Sequence, residues 1–192
     1  MHKRKLKTAA ITLFFVVAVT VILSGCQAAG GQSPEPTRGK PAASPSKPAS
    51  GDNTGLSVGK TAPDFAMEML DGGTKQLSDF RGKPVFLNFW ATWCGPCINE
   101  MPDLQKAHED YGDKITFLGI NCAEDKSVVE KFLKDNYSYT QALDTKSEIG
   151  KLYQIQAIPL SLVLDSDGVI MSTTLGSLSA EEIDGLVKAA LK

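Results

Sequence analysis

The chain has 192 residues, a formal net charge of −2 at pH 7, 42% hydrophobic residues and 22% charged residues. This composition is typical of a globular protein and excludes a fibrous or wholly disordered one. Residues 1–7 carry Lys3, Arg4, Lys5 and Lys7 and no acid, so the remaining chain is acidic. An acidic body lacks the basic surface of a nucleic-acid-binding protein, and no nucleic-acid partner is expected.

The first predicted element, residues 1–25, is an export signal. A basic start is followed by an apolar run over residues 9–23 and then by Leu23-Ser24-Gly25-Cys26, which is the layout of a secretory signal. The last four residues resemble a bacterial lipobox, and this resemblance implies cleavage before Cys26 and lipidation of its thiol. The alternative is an uncleaved anchor, because the apolar run is near the lower limit for a membrane-spanning helix. Either reading places the body on the extracytoplasmic face of the cell membrane, where disulfides are normal.

Residues 26–55 are predicted to form a tether that begins at the lipidated cysteine. Half of the ten prolines of the chain lie between residues 34 and 48. Few apolar side chains accompany them, so the segment cannot bury enough surface to fold. The folded domain is therefore predicted over residues 56–192.

Within this domain the sequence predicts alternating strands and helices. A hairpin turns at Asp71-Gly72-Gly73, and the continuous apolar run Val85–Trp90 is typical of a strand covered on both faces. The later elements follow in order: helix 97–111, strand 115–121, helix 127–136, strand 140–143, helix 147–153, and a second hairpin over 160–174. Ser179 and Glu182 form a capping-box pattern that begins the last helix. This order predicts an α/β fold with a mixed sheet.

The pentapeptide Trp93-Cys94-Gly95-Pro96-Cys97 carries the candidate chemistry. A zinc site needs four ligands, and His108 is the only histidine after residue 2, so no metal is expected. A structural disulfide over so short a loop would remove little chain entropy. A redox couple is favoured, because a helix N-terminus stabilises a thiolate at Cys94.

In this interpretation Cys94 is the exposed nucleophile, and Cys97, facing the core, resolves the mixed disulfide. Pro96 suits the first helical turn, where its missing N–H costs nothing. The redox-active Cys94–Cys97 pair is then the whole redox centre, and no separate cofactor is expected.

The segment FLNFWATWCGPC at 86–97, together with GKTAPDF at 59–65, LSDFRGKP at 77–84 and AIP at 157–159, resembles the TlpA/ResA branch of membrane-anchored thiol-disulfide oxidoreductases in the thioredoxin superfamily. The resemblance implies a thioredoxin-like fold with an N-terminal β-hairpin and a helix-strand insertion at about 126–144. It implies an enzyme that reduces disulfides of exported proteins, such as apocytochrome c or oxidised surface proteins. It also implies a membrane thiol relay of the CcdA/DsbD type as electron donor, and we expect a monomer.

The resemblance further implies roles for single residues. Pro159 is expected to be a cis proline beside the cysteines, and with Ile158 it would pair with the substrate backbone. Glu100 is expected to move the proton of the buried thiol as a partly buried acid with a raised pKa; the alternative is an ordinary solvated glutamate. Trp93 is either a substrate platform or a packing residue, and Gly95 and Pro96 would face the substrate.

Three further positions bear on this interpretation. Asn88 departs from ordinary thioredoxins, in which the matching strand position usually holds a buried Asp, and this makes Glu100 the stronger candidate for proton transfer. Cys122 is predicted to lie near the sheet edge that carries Cys94, as either a regulatory thiol or a small buried residue. His108 is predicted to be a surface residue.

Two other functions remain open. The peptides APDF and LSDFRGKPV also occur in peroxiredoxins, but a thiol peroxidase usually has Thr three residues before its nucleophile, and here that position is Ala91. Two thiolates also suit Cu(I), as in copper chaperones of the Sco type. Those proteins use a wider cysteine spacing and a later histidine, which this chain lacks.

Overall fold

Strands and helices alternate along the described chain, as the sequence predicts. The structure is a computed structural model that describes residues 53–134 and 136–192. The predicted signal 1–25, the predicted lipidation site Cys26 and most of the predicted tether 26–55 lie outside the described residues. No helix in the described ranges is long and apolar enough to cross a membrane.

The described strands form one mixed sheet in the order β2-β1-β5-β4-β3-β6-β7. The strands are β1 (Ala66–Met69), β2 (Thr74–Gln76), β3 (Val85–Trp90), β4 (Thr116–Cys122), β5 (Thr140–Asp144), β6 (Leu160–Leu164) and β7 (Ile170–Leu175). β3, β4 and β5 are parallel, whereas the other neighbouring pairs are antiparallel. Both predicted hairpins, β1–β2 and β6–β7, are confirmed.

The helices are α1 (Gly95–Tyr111), α2 (Lys126–Leu133), α3 (Glu148–Leu152) and α4 (Ala180–Ala190). The predicted capping box of α4 is confirmed: Ser179 Oγ accepts from Glu182 N at 3.3 Å, and Glu182 Oε2 accepts from Ser179 N at 2.8 Å. α2 ends three residues before the predicted limit of 136, and Lys134, which follows it, has a left-handed φ of 41°. α2 and β5 together occupy the predicted insertion at about 126–144.

β3 lies inside the sheet, between β4 and β6, with all six residues buried. Because side chains alternate along a strand, Phe86 and Trp90 pack on one face, against α1, α2 and α4. Leu87 and Phe89 pack on the other face, against the N-terminal hairpin and α3. This two-sided burial fixes the carboxyl end of β3, from which the loop to α1 carries Cys94.

The prediction that His108 is a surface residue is wrong. His108 is half-buried, with its ring 6.0 Å from that of Phe117 on β4 and 6.4 Å from that of Tyr139. The helical stripe that faces the sheet is wide enough to take in His108 beside Ala107. An aromatic neighbour on β4 then covers part of the imidazole.

Candidate active site

Cys94 and Cys97 form a disulfide at the N-terminus of α1. Cys94 is the N-cap residue, and its sulfur accepts a hydrogen bond from Cys97 N at 3.2 Å. The Cys97 N–H, which has no partner within the helix, and the positive end of the helix therefore face the sulfur and would stabilise a thiolate there. Pro96 lies in the first turn, as predicted, and Gly95 and Pro96 are both exposed beside the disulfide.

The expected exposure of Cys94 is wrong for the disulfide form. Cys94 retains 5% of its accessible surface and Cys97 none. The sulfur of Cys94 lies 3.7 Å from the carbonyl oxygen of Ile158, which covers it from the loop before β6. The predicted order of accessibility still holds, because Cys97 is the deeper of the two thiols.

Trp93 is 70% exposed, whereas Trp90 is fully buried. The packing alternative for Trp93 is therefore excluded, and the predicted core position of Trp90 is confirmed. The exposed indole beside the disulfide is apolar surface that is free to contact another molecule.

The peptide bond between Ile158 and Pro159 is cis, as predicted. Pro159 is buried and Ile158 half-buried, and the carbonyl oxygen of Pro159 accepts from Gly176 N at 2.9 Å. β6, which follows Pro159, is the antiparallel neighbour of β3. Because β6 runs antiparallel to β3, the start of β6 lies beside the carboxyl end of β3. The Ile158–Pro159 peptide therefore lies next to the disulfide.

Glu100 lies one helical turn after Cys97 and is 1% exposed. Its Oε1 accepts from Asn88 Nδ2 at 2.9 Å, and its Oε2 accepts from Leu178 N at 2.8 Å. Burial raises the pKa of the Glu100 carboxyl, against these two hydrogen bonds, which lower it. The predicted buried acid with a raised pKa is confirmed, and the solvated alternative is wrong.

Asn88 connects this carboxyl to the middle of the sheet. Its Nδ2 also donates to Ser161 Oγ on β6 at 3.0 Å. Its Oδ1 is buried and has no hydrogen-bond partner among the described residues. When Glu100 is protonated, a rotation of the Asn88 amide would let this oxygen accept a hydrogen bond from the new O–H.

Glu124, which was not among the predicted site residues, holds the loop before the cysteines. Its Oε2 accepts from Thr92 N at 2.7 Å and from Asn121 Nδ2 at 2.8 Å, and its Oε1 accepts from the Thr92 hydroxyl. The chain reaches this position through Ala123, whose φ is 60°. The available signal was an acid just past the end of the strand parallel to the cysteine-bearing one, because such strand ends share a sheet edge.

Cys122 ends β4, which pairs in parallel register with β3 up to Trp90. This confirms the predicted sheet edge for Cys122. Burial, with the negative charge of Asp144, raises the pKa of the half-buried Cys122 thiol to about 12. The thiol is therefore neutral at physiological pH and a poor nucleophile.

The AhpC/TSA family model matches residues 58–173. The chain is 35% identical over 135 residues to a protein named thiol-disulfide oxidoreductase ResA from Geobacillus kaustophilus, covering 69% of this chain and 78% of that protein. It is 36% identical over 133 residues to the thioredoxin-like protein YneN of Bacillus subtilis, covering 68% and 78%.

Solved structures agree with these relatives. A putative thiol:disulfide interchange protein DsbE from Chlorobium tepidum superposes with a TM-score of 0.67 at 30% identity, over 72% of this chain and all of that one. StoA from Bacillus subtilis gives a TM-score of 0.57 at 30% identity, over 65% and 96%. The predicted fold is thus confirmed as thioredoxin-like.

Proposed function

The chain belongs to the AhpC/TSA family and is a thiol-disulfide oxidoreductase of the ResA and DsbE type, and on this premise we propose that it reduces disulfides of exported proteins at the outer face of the cell membrane. The observation that carries the proposal is the buried Glu100 carboxyl, one helical turn from the buried Cys97. A reductant must deprotonate its buried thiol before that thiol can release the substrate. In this proposal Glu100 is the base that takes the proton.

The proposed cycle starts from the dithiol. The Cys94 thiolate attacks one sulfur of the substrate disulfide, and the other substrate sulfur leaves and takes a proton. Glu100 then accepts the proton of Cys97, and the Cys97 thiolate attacks Cys94. The Cys94–Cys97 disulfide re-forms, the second substrate thiol leaves with a proton, and two electrons have passed to the substrate.

Docking would use the exposed groups around the disulfide. Trp93 would cover one side of the substrate, with Gly95 and Pro96 at the helix start and the Ile158–Pro159 peptide opposite. Two electrons per turnover must come from elsewhere, and a membrane thiol relay fits a protein held at the membrane through a lipid on Cys26. Lipidation is tested by mass spectrometry of the chain purified from membranes, with Cys26→Ala expected to release the protein.

The first test is the midpoint potential of the Cys94–Cys97 couple in thiol redox buffers. A value near that of thioredoxin, about −270 mV, supports a reductase, whereas one near that of DsbA, about −120 mV, means a disulfide donor. Consumption of hydrogen peroxide by the reduced protein, measured in parallel, tests the thiol peroxidase alternative. Rapid peroxide turnover with slow protein-disulfide reduction would replace the proposal.

A further inference from the structure

A cavity of about 600 Å³ opens beside the disulfide. Its walls come from the loop before α1, the ends of β4 and β5, helix α3 and the loop before β6. The residues that matter for its chemistry are Trp93, Cys122, Asp144, Ala157 and Ile158. This volume lies within the range of cavities that hold a ligand or several side chains.

The cavity is continuous with the redox site. Trp93 directly precedes Cys94, and the carbonyl of Ile158 lies 3.7 Å from the sulfur of Cys94. Both residues line the cavity as well as the disulfide. A polypeptide that brings a disulfide to Cys94 can therefore reach this cavity.

The walls favour an apolar occupant. The Cys122 thiol is neutral, and both oxygens of buried Asp144 already accept backbone hydrogen bonds, from Ile149 N at 3.1 Å and Gly150 N at 2.7 Å. The exposed indole of Trp93 adds apolar surface at the mouth. Lys151, Gln154 and Gln156 also line the cavity, but their side chains are exposed and can stay in water. A hydrophobic side chain placed against the apolar part of the wall would lose only its water.

The rim of the cavity also presents open backbone. Within the described residues, no hydrogen bond involves the backbone of Gln156 or Ala157, both of which are exposed. An extended peptide can pair with such a segment, and its alternate side chains then point to the same side. Backbone pairing and an apolar pocket together fit a polypeptide rather than a small molecule.

We infer that this cavity is a specificity pocket that takes a bulky hydrophobic side chain lying two residues from the reacting cysteine of an extended polypeptide substrate. Cys122 forms part of its wall and takes no part in the electron transfer. The inference rests on the proposed reduction of protein disulfides and adds the substrate class that is reduced fastest.

The test uses two peptides that differ only in the pocket side chain. Each is a disulfide-linked dimer of two identical peptide chains with one cysteine per chain. The positions two residues before and two residues after the cysteine hold Phe in one peptide and Ser in the other. The fully reduced protein is mixed with excess peptide, and the rate constant of its single oxidation is measured. We expect the Phe peptide to react at least about tenfold faster, which is the order expected from burying one phenyl ring.

Variants then locate the effect. Cys122→Leu fills the cavity from its wall and should bring the ratio of the two rate constants close to one, with the milder Cys122→Val intermediate. Thr173→Leu, which also introduces a leucine but on the exposed face of β7, should keep the wild-type ratio. A wild-type ratio near one overturns the inference without any variant, and so does a ratio that survives in folded Cys122→Leu.

Two readouts separate this inference from the proposed function. Glutathione disulfide is too small to need the pocket, and its failure to oxidise the reduced protein would count against reductase activity alone. Peptides with Ser in place of the cysteine are titrated into the oxidised protein, and intrinsic tryptophan fluorescence is the signal. Equal affinity for the Phe and Ser versions overturns the pocket even where reduction proceeds.

Discussion

Asn88 on β3 donates a 2.9 Å hydrogen bond to Glu100 on α1, twelve residues away, and both side chains are buried. Burial raises the pKa of the Glu100 carboxyl, whereas this hydrogen bond and the one from Leu178 N lower it. The pKa of the proposed proton acceptor on α1 is therefore tuned by one group on β3 and one in the loop before α4.

Glu100→Gln keeps the shape of the side chain and removes the base. We expect the resolving step, in which Cys97 attacks the mixed disulfide, to slow by about a hundredfold at neutral pH, the usual contribution of a positioned base. Rapid acid quenching and mass spectrometry should show the Cys94–substrate mixed disulfide accumulating. The control is Glu109→Gln, the same change at an exposed position of α1; equal rates in the two variants would remove Glu100 from the mechanism.

Asn88→Ala removes a hydrogen bond that lowers the pKa of Glu100. The pKa should rise further, and the pH at which the resolving step reaches half its maximal rate should rise with it. The unfolding free energy should fall by about 1–3 kcal/mol, because the buried partners of the amide are left unpaired. Loss of stability with an unmoved pH profile would mean that Asn88 has a structural role only.

Stability should depend on pH through the same carboxyl. The folded protein holds the Glu100 proton more tightly than the unfolded chain, so between the ordinary value of 4.5 and the raised pKa the folded state binds more protons. Its contribution to the unfolding free energy is therefore complete below 4.5 and is lost as pH rises through the raised pKa. The unfolding free energies of the wild type and of Glu100→Gln are measured by urea titration at several pH values. The wild type should lose more unfolding free energy than the variant as pH rises. A difference between the two proteins that does not change with pH would contradict a raised pKa.

Cys122 should resist alkylation. With its pKa raised to about 12, the thiol is almost entirely protonated at pH 8 in the folded protein. We expect iodoacetamide to label Cys122 at least about a hundredfold more slowly than in guanidinium-unfolded protein, where the thiol has an ordinary pKa near 8.5. Peptide mass spectrometry gives both rates, and comparable labelling of the folded protein would mean an accessible, ionised thiol.

Ser179→Ala should weaken α4 without touching the redox chemistry. The hydroxyl is the N-cap of α4 and shares a capping box with Glu182, so its loss should cost about 1 kcal/mol of unfolding free energy. The midpoint potential should not change, because among the described residues the Ser179 hydroxyl bonds only with Glu182, whereas the contacts of this segment with Glu100 and Pro96 come from Leu178 N and the Ser177 hydroxyl. Ser172→Ala on β7 provides the matched control for stability, and a shift of potential in Ser179→Ala would show that α4 is coupled to the redox site.

The features predicted correctly are those whose causes are local in the chain. The apolar run Val85–Trp90, the Gly-containing turns and the Ser179–Glu182 pair each carry their signal within a few residues. The position of Glu100 followed from its spacing to Cys97 and from family resemblance. Helix ends were less accurate, because the last turn of α2 depends on the backbone of Lys134 and not on periodicity.

The errors and omissions arise where distant segments meet. The half-burial of His108 depends on Phe117, and the cover over Cys94 comes from Ile158, 64 residues later. The hydrogen bonds between Glu124 and Thr92 join residues 32 positions apart. Strand register decides all three contacts, and register depends on the packing of the whole sheet, which no short window of sequence contains.

Strand β5 lies between β4 and β1 in the sheet, and α3 follows it in the chain. Most of the cavity wall and the disulfide therefore lie on different parts of the chain. Residues 144–157 furnish most of the cavity wall, whereas the cysteines, Glu100 and Asn88 belong to β3 and α1. A substrate pocket of the kind proposed would let substrate choice change through substitutions in this one short stretch, while the residues of electron transfer stay the same. Exchanging the stretch between relatives would then transfer a substrate preference to an otherwise unchanged thiol-disulfide oxidoreductase.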